Sequence, residues 1–109
     1  MRFTKPNKYR NAPVVVDGIR FASKREAGRY LTLKLLSKAG RIRDLKMQVR
    51  FKLLCNGHHI TTYVADFTYE EWANDDWQSV VEDVKGVRTD VYRLKRKLML
   101  AHGIEIREV

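Results

Sequence analysis

The chain is poor in cysteine, proline and glycine, and it lacks any long apolar run. Among 109 residues there is one cysteine, two prolines and six glycines. A lone Cys55 excludes an internal disulfide framework and a cysteine-rich zinc site. It follows Phe51-Lys52-Leu53-Leu54, so we expect a buried thiol and not a nucleophile. So little glycine and proline, with 44% hydrophobic residues, leaves no reason to expect disorder beyond the termini. No apolar stretch has the length of a membrane span. The first ten residues are basic but lack the apolar core of a signal peptide. We therefore expect a cytoplasmic protein, with no membrane partner, in a reducing compartment.

What the chain has is positive charge. There are 22 Lys and Arg against 13 Asp and Glu, a formal net charge of +9. Such a balance predicts a polyanionic partner, most simply nucleic acid; a ribosome-like or membrane surface would satisfy the same charge. The length suits one domain with a modest core. We expect a flexible basic arm over 1–13 and one domain over 14–109. In the arm, Lys5, Lys8, Tyr9 and Arg10 would grip phosphates or stack on a base, or simply form a solvated tail.

Val14 to Phe21 reads as a hairpin, because Asp17-Gly18 suits a turn whose two central residues need positive φ. Ser23 to Ala39 reads as a helix opened by the capping box Ser23/Glu26 and closed by Gly40. Its expected core stripe is Ala27, Leu31 and Leu35, flanked by Tyr30 and Ala39. Met47 to Cys55 and His58 to Tyr69 alternate as strands around an Asn56-Gly57 turn. His58 and His59 are expected to be exposed beside that turn. Glu70 to Gln78 reads as an acidic loop with Trp72 and Trp77 folded back on the core. Ser79 to Gly86 reads as a central strand. Thr89 caps a second helix, Asp90 to His102, with Val91, Leu94, Leu98 and Ala101 inward. Ile104 to Val109 closes as a strand. The order predicts an α/β or α+β domain, a mixed sheet flanked by two helices.

The central strand carries the chemistry. Alternation puts Asp83 and Lys85 on one face and Val80, Glu82 and Val84 on the other. An acid and an amine one pleat apart form a common pattern; about one such pair is expected by chance, and Asp44-Leu45-Lys46 is another. Context separates them: Asp83 follows Val80-Val81 and is closed by Gly86. Asp66 interrupts the preceding strand, where aspartate is disfavoured. Two carboxylates converging there call for a cation, and magnesium accepts one or two carboxylates plus waters and phosphate oxygens.

These residues resemble the PD-(D/E)xK nucleases. Tyr63-Val64-Ala65-Asp66-Phe67 is similar to that family's first acidic motif, and Val81-Glu82-Asp83-Val84-Lys85-Gly86 to its second. Phe21-Ala22-Ser23-Lys24-Arg25-Glu26 is similar to the helix start of several branches. The set is close to phage endonuclease I-type Holliday-junction resolvases and to a small uncharacterised phage family. The resemblance implies a restriction-endonuclease-like core and a magnesium-dependent endonuclease, with manganese able to substitute. It implies that Asp66 and Asp83 hold the metal with the Val84 carbonyl and Glu26, and that Lys85 is the catalytic lysine. Gln48 is an accessory candidate. Ala65 replaces the usual proline. Asp83 replaces the commoner glutamate, which leaves Glu82 as a rival ligand that a β-bulge would favour. DNA contacts are expected from Lys24, Arg25, Arg88, Arg93, Lys95, Arg96 and Lys97. Branched DNA, a homodimer and a phage-infected or prophage-bearing bacterial host follow as expectations. The alternatives are a nuclease acting on other DNA structures, and a non-catalytic basic nucleic-acid-binding module.

Overall fold

The two-residue turns organise the backbone. Asp17-Gly18 and Asn56-Gly57 adopt positive φ at both positions, as expected. Asn74-Asp75 does the same, with φ of 53° and 59°, and this turn was not expected. Asparagine and aspartate tolerate the left-handed region because their short side chains bond locally. Here they close a tight hairpin where a loop was predicted.

The computed structural model describes residues 12–85 and 87–109. Lys5, Lys8, Tyr9 and Arg10 of the arm, and the Gly86 turn, lie outside those residues. Among the described residues eight elements follow in chain order: β1 (Val14–Val16), β2 (Ile19–Phe21), α1 (Lys24–Lys38), β3 (Ile42–Cys55), β4 (His58–Ala73), β5 (Asp76–Asp83), α2 (Asp90–Ala101) and β6 (Ile106–Glu108). β1 and β2 pair as a separate hairpin, while the main sheet runs β3-β4-β5-β6. β6 lies parallel to β5 and the other pairs are antiparallel. The fold is α+β with a mixed central sheet and two helices. Among the described residues no helix is long and apolar enough to cross a membrane.

β3 and β4 are longer than the sequence patterns suggested, and β5 is the expected length but begins three residues earlier, so that it ends at Asp83 and leaves Lys85 beyond it. The charged run Arg43-Asp44 belongs to β3, where a bulge between Arg43 and Lys46 and a φ of 55° at Asp44 absorb it. Trp72 and Trp77 are cross-strand partners, ring centroids 5.4 Å apart. Trp72 remains 53% exposed, so it does not fold onto the core as expected. Arg43 stacks over Trp77 at 4.2 Å. Cys55 is exposed beside its turn and not buried.

Both helices are capped as predicted, the Glu26 and Tyr92 amides donating to Ser23 and Thr89. Ser23→Ala should therefore lower stability by about 1 kcal/mol, seen as a lower urea midpoint at unchanged slope. The inward faces agree with those predicted only in part: Ala27, Tyr30 and Leu98 pack inward, and the other predicted leucines and valine do not. α1 buries Glu26, Ala27, Tyr30 and Leu33, while Leu31 and Leu35 are 46% and 67% exposed. Tyr30 draws its own side inward: its ring meets Phe21 at 5.1 Å and its hydroxyl donates to Asp17. α2 buries Tyr92 and Met99 and leaves Val91 and Leu94 mostly exposed.

Two apolar clusters share β4. One joins Phe67, Tyr69 and Val80 to α1, Phe21 and Ile42. The other joins Tyr63, Ala65 and Leu53 to α2 and Ile106. Asp66 sits at the seam between them. Across from it stands Gln48, between the pairs Met47↔Phe67 and Val49↔Ala65, with a φ of 54°. That left-handed residue marks the place where the strand changes the helix it packs against.

Candidate active site

The site forms where β4 and β5 stop pairing. The last partners are Phe67 and Glu82. The next amide along that edge, Val84 N–H, donates to Asp66 Oδ2 at 2.8 Å. One further step of the register sets Asp66 beside Asp83. Lys85 lies beyond the end of β5, yet its ammonium returns to Asp83 at 2.9 Å. β6 holds this segment: Val109 N–H donates to the Asp83 carbonyl and Lys85 N–H to the Val109 carbonyl.

Glu26 reaches the same place from the first turn of α1. It is 7% exposed and accepts a hydrogen bond from Gln48 Nε2 at 3.1 Å. Glu26, Asp66, Asp83, Val84 and Lys85 all line one cleft of about 660 Å³, with Arg25 and Lys95 also in its wall. Two tyrosines complete it. The Tyr63 hydroxyl donates to Asp83. The Tyr92 ring lies 3.8 Å under the Lys85 ammonium, a cation–π contact.

The electrostatics follow from crowding acids out of water. Burial pushes the Asp66 carboxyl up to about 7, against the Val84 N–H bond, and the charges of Asp83 and Glu26 add to the rise. Burial also raises Glu26, helped by Asp83. Burial and the bond to Asp83 raise the Tyr63 hydroxyl. Among the described residues, no group of three or more His, Cys, Asp or Glu side chains stands ready to hold a metal ion.

Glu82 is elsewhere. It is fully buried and faces α1, where Arg29 donates two bonds to it at 2.6 and 2.8 Å and the Tyr69 hydroxyl a third at 2.5 Å. Of the two neighbouring acids, the one in the cleft is Asp83. Of the basic candidates, Lys24 is exposed at the start of α1 and outside the cleft wall. Arg88, Arg93, Arg96 and Lys97 line a different cavity.

Tyr63 and Tyr92 were missed by sequence reasoning. Strand alternation assigns Tyr63 to the face opposite Asp66, and only the seam in β4 brings the two together. Tyr92 had a usable signal, since Tyr92, Lys95 and Met99 recur at helical spacing.

Tyr92 is itself held by Glu108, which accepts from its hydroxyl at 2.7 Å and from Arg88 at 2.8 Å. Arg88 and then Tyr92 lower the Glu108 carboxyl from its ordinary 4.5 to about 2. A depressed carboxyl stabilises the fold above its unfolded value and loses that contribution as pH falls toward the folded one. Glu108→Gln should therefore lower stability at neutral pH and flatten the acid limb between about 4.5 and about 2, measured by urea unfolding across that range.

Fold and site together define an α+β domain with an acid-lined cleft at the end of its sheet. The chain belongs to the family described as a protein of unknown function (DUF1064), whose model matches residues 6–109. No curated protein matches the chain, and no solved structure does.

Proposed function

We propose that the protein is a metal-dependent nuclease that hydrolyses phosphodiester bonds in DNA. The observation that carries this reading is the meeting of Glu26, Asp66, Asp83 and Lys85 in one cleft, on a chain of net charge +9.

The donor set fits a hard divalent ion. Burial first, and then the charges of Asp83 and Glu26, raise the Asp66 carboxyl, and a cation beside these acids would offset both. A ready cage of three acids is not required, because magnesium uses one or two carboxylates and keeps several waters. Asp66 and Asp83 would hold it, with the Val84 carbonyl and Glu26 in support; manganese would substitute. When bound, such an ion supplies charge for the phosphate oxygens and a more acidic water.

The chain's own residues do the rest. Lys85, anchored by Asp83 and Tyr92, neutralises charge gathering on the phosphate in the transition state. Tyr63 keeps the Asp83 carboxylate turned into the cleft, and Gln48 does so for Glu26. Arg25 and Lys95 take adjoining phosphates. Branched DNA is the substrate we favour, with two copies related by a two-fold axis, since resolving a junction takes two cuts. The setting we infer is the cytoplasm of a phage-infected or prophage-bearing bacterium.

The net charge of +9 by itself also suits a second reading, a non-catalytic nucleic-acid-binding module. One experiment separates the two. The purified protein is offered a four-way junction, a flap, a linear duplex and a single strand, with magnesium or with chelator. We expect cutting only with magnesium, fastest on the junction. Binding without metal-dependent cutting on any substrate overturns the nuclease reading in favour of the module.

A further inference from the structure

α2 separates two cavities. Tyr92 and Lys95 face the acidic cleft. The other flank opens on a cavity of about 490 Å³, within the size range of small-ligand sites. Arg93, Arg96, Lys97 and Leu100 line it from α2, a spacing that puts them along one side of the helix. Ile104 and Ile106 close the floor. Leu100, Ile104 and Ile106 supply its apolar surface, and among the described residues Glu105 is the one acid in it.

The cations of this cavity are not equally engaged. Arg88 and Arg96 both turn to Glu108, at 2.8 and 3.7 Å. Among the described residues, Arg93 has only an exposed 3.6 Å contact with Asp90. Lys97 forms no ion pair among the described residues. Beside these two lies Leu100, 61% exposed, at the lip of the apolar floor. Cations with little local compensation next to an open aliphatic surface match a ligand with one anionic end and one flat apolar end.

We infer that this second cavity takes an unpaired nucleotide of a single strand, its phosphate between Arg93 and Lys97 and its base against Leu100 and Ile104. A duplex offers the cavity only phosphates, because its bases are stacked inside. The inference rests on the nucleic-acid half of the proposed function and not on its metal chemistry. With both cavities filled, α2 stands between the strand being cut and an unpaired strand, which a flapped or frayed branched substrate supplies.

The test uses the full chain in chelator, where no cutting occurs, and fluorescence anisotropy with three probes: an oligothymidylate, an abasic strand of the same length and a blunt duplex. Arg93→Glu/Lys97→Glu should weaken oligothymidylate binding about tenfold or more and lower its salt slope by about 1.4, two single-strand phosphate contacts at 0.7 each. Leu100→Asn, at an exposed position, should weaken oligothymidylate severalfold and leave the abasic strand unchanged. Equal losses on oligothymidylate and abasic strand for Leu100→Asn overturn the base site and leave a phosphate contact. No loss on any probe overturns the cavity as a nucleic-acid site. Cleavage in magnesium is read separately, so failure of the nuclease reading leaves these binding results interpretable.

Discussion

Asp83→Asn is expected to eliminate magnesium-dependent cutting of a four-way junction while binding in chelator persists. The substitution keeps the side chain's shape and removes its charge. Asp83 is 4% exposed and touches both the Tyr63 hydroxyl and the Lys85 ammonium, so the amide would lose the donor proposed for the cation and Lys85's anchor together. Several kcal/mol of transition-state stabilisation is at stake, about 10³-fold in rate. Single-turnover cleavage and anisotropy on the same junction measure the two effects, with the thermal midpoint as a folding control. Persistent cutting would show that Asp83 is no ligand. Loss of binding equal to loss of cutting, in a folded protein, would make its role structural.

The second large effect concerns stability. Arg29→Met should cost about 3–5 kcal/mol, because it strands a buried carboxylate. Glu82 has no exposed surface, and its partners are the Arg29 guanidinium and the Tyr69 hydroxyl. Tyr69 by itself cannot replace two charged hydrogen bonds. The double variant Arg29→Met/Glu82→Gln removes the charge as well and should recover much of the loss, a coupling that a double-mutant cycle in urea reads directly. A cost below about 1 kcal/mol for Arg29→Met would mean the pair is no more than a surface bridge. The pair also bears on the site. By holding Glu82 toward α1, it leaves Asp83, the next residue, facing Tyr63 and the cleft.

Several features were legible in the chain and several were not. The turns at Asp17-Gly18 and Asn56-Gly57, and the caps at Ser23 and Thr89, lie where expected because each depends on a few neighbouring residues. Asp66 and Asp83 were visible as acids inside apolar strands, where their presence wanted a reason. The helix faces were legible only in part, Ala27, Tyr30 and Leu98 turning inward as expected and Leu31, Leu35, Val91 and Leu94 not. Both helices carry leucine on more than one side, so periodicity offers several stripes of similar quality. Tyr30 and Tyr92 chose among them through bonds to Asp17 and Glu108, partners distant in sequence. Glu82 looked like a rival ligand until Arg29, 53 residues earlier, was seen to claim it. The Trp72–Trp77 segment looked like a loop because its charges hid a strand pattern continuing on both sides of Asn74-Asp75.

The amino-acid sequence by itself determined the turns at Asp17-Gly18 and Asn56-Gly57, the caps, the order of elements and the excess of positive charge, since each is set by local backbone preference or by counting. Only the tertiary structure decided which helix sides turn inward, which of two adjacent acids enters the cleft, and that Glu26 and Asp66 meet there. Those outcomes depend on how β4 passes from one helix to the other at Asp66, and on ion pairs between residues far apart in the chain.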